Sequence, residues 1–175
     1  LLPLLSFQKN CRRDKMKVYI KNRVFSLGQG SSVVDENKNA LFDVKGRAIS
    51  ITRKKFLYDA NDQLFYSIRN KWINFFVHKA YIYDASGSKI ATAKDKWFNV
   101  NQEYFVMGYK DEIKIQGKFF GLTSQILRNG NVIGTVRRQI TFIADAFELE
   151  ADERDIPFLI ALVVALDNIH DKRTN

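Results

Sequence analysis

Between Met16 and about Glu150 the apolar and polar residues alternate with a period of two, as in Ala48-Ile49-Ser50-Ile51-Thr52, Ile113-Lys114-Ile115-Gln116 and Phe147-Glu148-Leu149-Glu150. That period places one set of side chains on each face of a strand, and the β-branched and aromatic residues recurring here suit a pleated, half-buried surface. Turn residues separate the segments. Asn129-Gly130 is the strongest two-residue hairpin signal, and Ser86-Gly87 and Asp35 to Asn39 are further turns. The pattern predicts about twelve strands, no helix before residue 150 and no linker, hence a single domain over residues 16–175.

An internal repeat sharpens this expectation. The run from Asp35 to Lys45 returns as Asp59 to Arg69 and as Asp84 to Lys94, the copies starting 24 and then 25 residues apart. In each, two apolar residues precede the Asp and a polar turn follows it. The ninth residue after the Asp is then apolar (Val44, Ile68, Ala93) and the tenth basic (Lys45, Arg69, Lys94). A shorter fourth copy runs from Ile126 to Arg137. Each copy reads as one hairpin. A set of hairpins with one apolar face each has to bury those faces together, and closure into a barrel does so while removing exposed edges.

After residue 150 the period changes. Six acids lie between Asp145 and Asp155, and Ile156 to Leu166 then carries no charge. Asp155 suits an N-cap and Pro157 a first helical turn, so a helix is predicted over about 156–168. Acids ahead of it suit the positive end of its dipole. Phe158 to Leu166 is apolar on every face, which means burial all round, and a helix of this length, roughly 20 Å, is too short to span a bilayer. The expected architecture is mainly β: a closed antiparallel barrel of about twelve strands around a central hydrophobic C-terminal helix.

The Asp-led hairpins, Tyr104-Phe105-Val106-Met107-Gly108-Tyr109 ahead of a further strand, and Asp155-Ile156-Pro157-Phe158 leading into Ala161 to Asp167 resemble the LURP-one-related, or YxjI-like, family. That family is grouped with the tubby C-terminal domain and the phospholipid scramblases, and the likeness covers Met16 to about Ile169. It implies a tubby-like barrel of about twelve strands around a hydrophobic helix, in agreement with the periodicity. It also implies a setting rather than an activity. Tubby domains bind phosphoinositide headgroups and scramblase relatives act at membranes, yet no phosphoinositide-contacting motif maps onto this chain residue by residue.

Composition narrows the chemistry. The chain has 175 residues, 46 % of them hydrophobic, two histidines and one cysteine. A lone Cys11 excludes an intramolecular disulfide and a cysteine-built zinc site, so a reducing, cytoplasmic location is expected. Leu1, Leu2, Leu4 and Leu5 precede Arg12, Arg13 and Lys15, the reverse of a secretory signal. Residues 1–15 are read as a cloning or upstream-reading remnant, the alternative being a membrane-touching arm.

No catalytic constellation is visible. His78 and His170 are separated and provide no nucleophile with its base, so no cofactor or metal is expected and the protein is read as non-enzymatic. Gly28-Gln29-Gly30 lacks the third Gly and the helix of a dinucleotide loop. The acids from 145 to 155 lack the spacing of a calcium loop and read as a solvated, helix-capping run.

Charge is more informative. Residues 145–175 carry a balance of −5 and residues 1–144 one of +14, with clusters at Arg53-Lys54-Lys55, Arg69 with Lys71, Lys94 with Lys96, and Arg137-Arg138. Solubility and protection of strand edges account for such charges on one reading. On the other they meet an anionic partner, because basic residues add attraction to acidic lipid and to nucleic acid alike. The expected function is therefore a binding module for anionic lipid headgroups or a membrane surface, peripheral at the membrane. The alternative is nucleic-acid binding, against which stands the lack of a recognition helix or a familiar motif. If Val44, Ile68 and Ala93 face the core, then Lys45, Arg69 and Lys94 face solvent, and hairpins of like orientation bring them to one side of the barrel, with Arg137 a fourth member. Arg53, Lys54 and Lys55 form the other candidate site.

Overall fold

The computed structural model describes residues 15–21, 31–47, 51–71, 78–95, 104–117, 123–140 and 145–174. Among them the strands are β1 (Lys15–Lys21), β2 (Ser31–Asp35), β3 (Ala40–Gly46), β4 (Lys55–Asp59), β5 (Leu64–Asn70), β6 (Lys79–Asp84), β7 (Lys89–Asp95), β8 (Tyr104–Met107), β9 (Ile113–Gly117), β10 (Thr123–Arg128), β11 (Asn131–Ile140) and β12 (Asp145–Asp152). A 3-10 turn, Glu153–Asp155, leads into the helix α1 (Ile156–Thr174). Every strand pairs antiparallel with its neighbours in the chain, and β1 pairs with β12, so the sheet closes on itself as the sequence predicted. β1 begins at Lys15, one residue inside the segment set aside as a tail, and Lys15 stands opposite Asp152. The rest of that segment, residues 1–14 with Cys11, lies outside the described residues.

The three long repeats fold alike. In each, the backbone N–H of the Asp donates to the carbonyl four residues on at 3.0 Å (Asp35 to Asn39, Asp59 to Gln63, Asp84 to Ser88). The Asp Oδ1 accepts from the amide of that same residue at 2.8, 2.8 and 2.9 Å. The turn also needs a left-handed residue three after the Asp. Lys38, Asp62 and Gly87 fill that place with φ of 68°, 63° and 84°, and a register shift follows in each flanking pair. The fourth copy closes on Asn129 and Gly130 with φ of 49° and 81°, the signs a type I′ hairpin turn requires.

Because all neighbours are antiparallel, these tight turns lie at one end of the barrel, and the longer connections, such as those from β3 to β4 and from β5 to β6, lie at the other. The copies therefore share one orientation. Val44, Ile68 and Ala93 are fully buried and face inward. The helix enters at the tight-turn end and fills the interior, with Leu159 to Leu166 wholly shielded from solvent. Its first turn is held by Phe158, whose ring stacks on Tyr109 at 4.1 Å and meets Tyr66 edge-on at 6.4 Å. Packing against the wall is close. A Cβ placed on Gly134 of β11 would lie 2.8 Å from Leu159 Cδ1.

The helix runs six residues past the predicted end at 168. Its continuation has a local cause. Asn168, fully buried, donates from Nδ2 to the Arg53 carbonyl at 3.3 Å, and its own carbonyl accepts from Asn70 Nδ2 at 2.9 Å. Polar side chains after the apolar run are thus still inside the barrel, where wall groups at the long-connection end receive them. Among the described residues no helix is long and apolar enough to cross a membrane.

Candidate functional site

The basic residues singled out in the sequence divide into three environments. Lys45, on the outer face of β3, is ion-paired to Asp62 at 2.6 Å and lies 4.6 Å from the Tyr58 ring centroid. The Asp62 bond, opposed by partial desolvation, raises the Lys45 pKa above its ordinary value. Arg137 on β11 stands 3.7 Å from Glu148 of β12. On the same side of the barrel Lys15 faces Glu150 at 3.8 Å and Lys17 faces Glu36 at 3.1 Å. On this wall, built from β11, β12 and β1 to β3, Lys15, Lys17, Lys45 and Arg137 are therefore each matched to a carboxylate.

Lys55 goes elsewhere. It shares the parity of Leu57 on β4, points into the barrel and is only 7 % exposed. Arg53 lies in the connection from β3 to β4, has a φ of 48° and offers its carbonyl to Asn168. Lys55 is therefore not part of an outward cluster with Lys54, which lies just ahead of the strand and lines the outer depression.

The third environment is the outer face of β4 to β9. No outward strand position there carries a carboxylate. Four of its cations lie over aromatic rings, while Lys114 of β9 is ion-paired at 3.0 Å to Glu112 in the turn ahead of that strand. Lys54 sits 4.8 Å from the Phe56 centroid, Arg69 4.7 Å from Tyr83, Lys89 5.4 Å from Tyr81 and Lys94 5.8 Å from Phe105. Arg69 also donates from Nε to the Tyr83 hydroxyl at 2.8 Å, which orients the guanidinium along the wall. Lys54, Ser67, Arg69, Tyr83 and Gly87 line an open depression of about 240 Å³. That is below the roughly 300–1,000 Å³ of drug-sized sites and suits a phosphate-sized group. A guanidinium, an ammonium and two hydroxyls are the donors such a group takes up.

The structure thus brings Lys54, Arg69 and Lys94 to one wall and leaves Lys45 and Arg137 on the other. Sequence reading missed Ser67, Tyr83, Phe105 and Met107. Strand parity places Ser67 and Arg69 on one face, but Tyr83 joins them only through the pairing of Ser67 with Tyr83 across β5 and β6.

His78, half-buried, donates its backbone N–H to Asp95 Oδ1 at 2.8 Å, and its Nδ1 lies 3.4 Å from Asp95 Oδ2. Among the described residues no three His, Cys, Asp or Glu side chains are grouped to hold a metal.

The comparisons agree with a closed antiparallel barrel enclosing its own C-terminal helix. The family model of LURP-one-related proteins matches residues 16–167, and the chain belongs to that family. A crystal structure of a protein from Arabidopsis thaliana has the same fold, with a TM-score of 0.59 at 15 % identity, covering 89 % of this chain and 93 % of that one. No curated protein matches the sequence. Family and fold together favour a binding module over an enzyme.

Proposed function

We propose that the protein binds anionic lipid headgroups from the cytoplasmic side of a membrane, through the outer wall of β4 to β9. The observation that supports this reading is the depression formed by Lys54, Ser67, Arg69 and Tyr83 on a wall without outward strand carboxylates. Lys54 lies over the Phe56 ring and Arg69 over the Tyr83 ring, which holds both cations along the outside of the wall. A basic residue near an acidic membrane contributes on the order of 1 kcal/mol of attraction.

Flotation with phosphatidylcholine vesicles containing phosphatidylserine, at low and physiological salt, tests it. Replacing Lys54 and Arg69 together by Gln should weaken binding by about 2 kcal/mol, a factor on the order of thirty, with the melting transition kept. Lys45→Gln and Arg137→Gln, on the carboxylate-matched wall, should bind nearly as the parent does. Unchanged binding by the folded Lys54 and Arg69 variant would overturn the reading. Competition with soluble inositol phosphate separates capture of a headgroup from attraction to the surface as a whole. A gel-shift titration in parallel examines nucleic acid.

A further inference from the structure

We infer that the barrel meets an anionic bilayer on its side, with β7 nearest the headgroups and with Phe105 and Met107 of the adjoining β8 entering the acyl boundary. This rests on the reading above and adds to it an orientation and an apolar anchor. Cross-strand pairing puts Arg69, Tyr81, Thr92 and Met107 in one row, and Lys94, Phe105 and Lys114 in a second. The anchor therefore has Lys94 on one side and, on the other, Lys114, which is ion-paired to Glu112 at 3.0 Å. Phe105 and Met107 are 42 % and 52 % exposed, two large apolar side chains side by side on one short strand.

Curvature permits the contact. Three strand steps, from β5 to β8, make a quarter turn of a twelve-strand barrel. With strands about 4.8 Å apart and tilted by about 40°, the radius is about 12 Å, so a plane touching at β7 stands about 2 Å from β8 and about 6 Å from β5. Arg, Lys, Phe and Met side chains span those gaps. The cations can slide along their rings to the phosphates while the stems stay on apolar surface. Docking by the tight-turn end would instead set the carboxylates of Asp35, Asp59 and Asp84 against anionic lipid. Nucleic acid fits this wall less well than a bilayer does. Single strands lie in grooves and stack on ring faces, whereas this wall is convex and its rings lie under the protein's own cations.

The test uses the full chain with Cys11→Ser, carrying an environment-sensitive fluorophore on Met107→Cys or, as the control on β10, on Gln125→Cys. With phosphatidylserine-containing vesicles the label at 107 should shift to the blue, resist aqueous iodide and be quenched by acyl-chain nitroxides, and the label at 125 should stay wet. A label-free variant with Phe105→Ser and Met107→Ser should bind these vesicles about tenfold more weakly and keep its cooperative melt. Equal wetting of both labels on bound protein, or unchanged binding by the folded double Ser variant, overturns the inference and leaves headgroup binding standing. A label at 107 that is shielded without lipid in a dimer, seen by light scattering, assigns the patch to a second copy and overturns it as well. If the parent fails to bind the vesicles at all, both readings fall.

Discussion

Arg128, the last residue of β10, donates from Nη2 to Asp155 Oδ1 at 2.8 Å, which ties the end of a wall strand to the residue just ahead of the central helix. The carboxylate that the sequence offers as an N-cap is, in the structure, a partner of the wall. The Arg128 Nε lies 3.5 Å from Asp111 Oδ2, so the turn between β8 and β9 is drawn into the same junction. Arg128 and Asp155 are 24 % and 16 % exposed, between the regime where an ion pair contributes about 0 to 1 kcal/mol and the one where breaking it costs about 3 to 5. Arg128→Met should therefore cost about 1 to 3 kcal/mol in urea unfolding. A double-mutant cycle with Asp155→Asn should show coupling between the two sites, and strict additivity would remove the junction from the account.

The helix core predicts a larger effect. Leu162 is fully buried, and truncation of such a residue costs about 2 to 5 kcal/mol, a large share of a domain's stability. Leu162→Ala should lower the urea midpoint accordingly, and Val163→Asp should abolish soluble folding. A Leu162→Ala protein that melts like the parent would contradict a helix at the centre of the core.

Gly134 is small because Leu159 occupies the space its side chain would need. Gly134→Ala should destabilise by about 1 to 3 kcal/mol through overpacking. Leu159→Ala in the Gly134→Ala background should cost clearly less than Leu159→Ala alone, by calorimetry. Equal costs in the two backgrounds would mean that the methyl and the leucine do not meet.

Acid should loosen the hairpin turns. Asp35 has its pKa held below the ordinary 3.8, first by the Asn39 side-chain amide, and Asp84 likewise, first by the Ser86 hydroxyl and then by the Ser88 amide. A carboxyl whose folded pKa is depressed contributes its full stability above the unfolded value, and loses it as pH falls from there through the folded one. Stability should therefore decline below about pH 4, and Asp35→Asn with Asp84→Asn should flatten that limb. An identical acid profile for this double variant would show that the turns do not carry it.

Much of the barrel was legible because alternation and turn chemistry are local. The inward placement of Val44, Ile68 and Ala93 follows from parity alone, and so does that of Lys55 from its spacing to Leu57. Partners across strands are a different matter. Lys45 meets Asp62, seventeen residues on, only because the second repeat's left-handed turn residue projects toward β3. Arg137 meets Glu148 through the register of β11 with β12, which no residue pattern within β11 specifies. The helix end was missed because hydropathy marks where the apolar run stops, while Asn168 continues the burial by hydrogen bonds to Arg53 and Asn70.

Closure of β1 onto β12 sets the order in which the molecule can be completed during synthesis. Val18 and Ile20 wait for Leu149 and Phe147, translated some 130 residues later, and the helix that fills the interior is made after all twelve strands. Until then the emerging hairpins carry unsatisfied edges and an apolar concavity with nothing inside it. Contacts of such sequence separation make folding slow and expose the nascent chain to aggregation. The Asp-led turns form from neighbouring residues alone, so each hairpin can hold its shape on the ribosome while its apolar face waits for the helix.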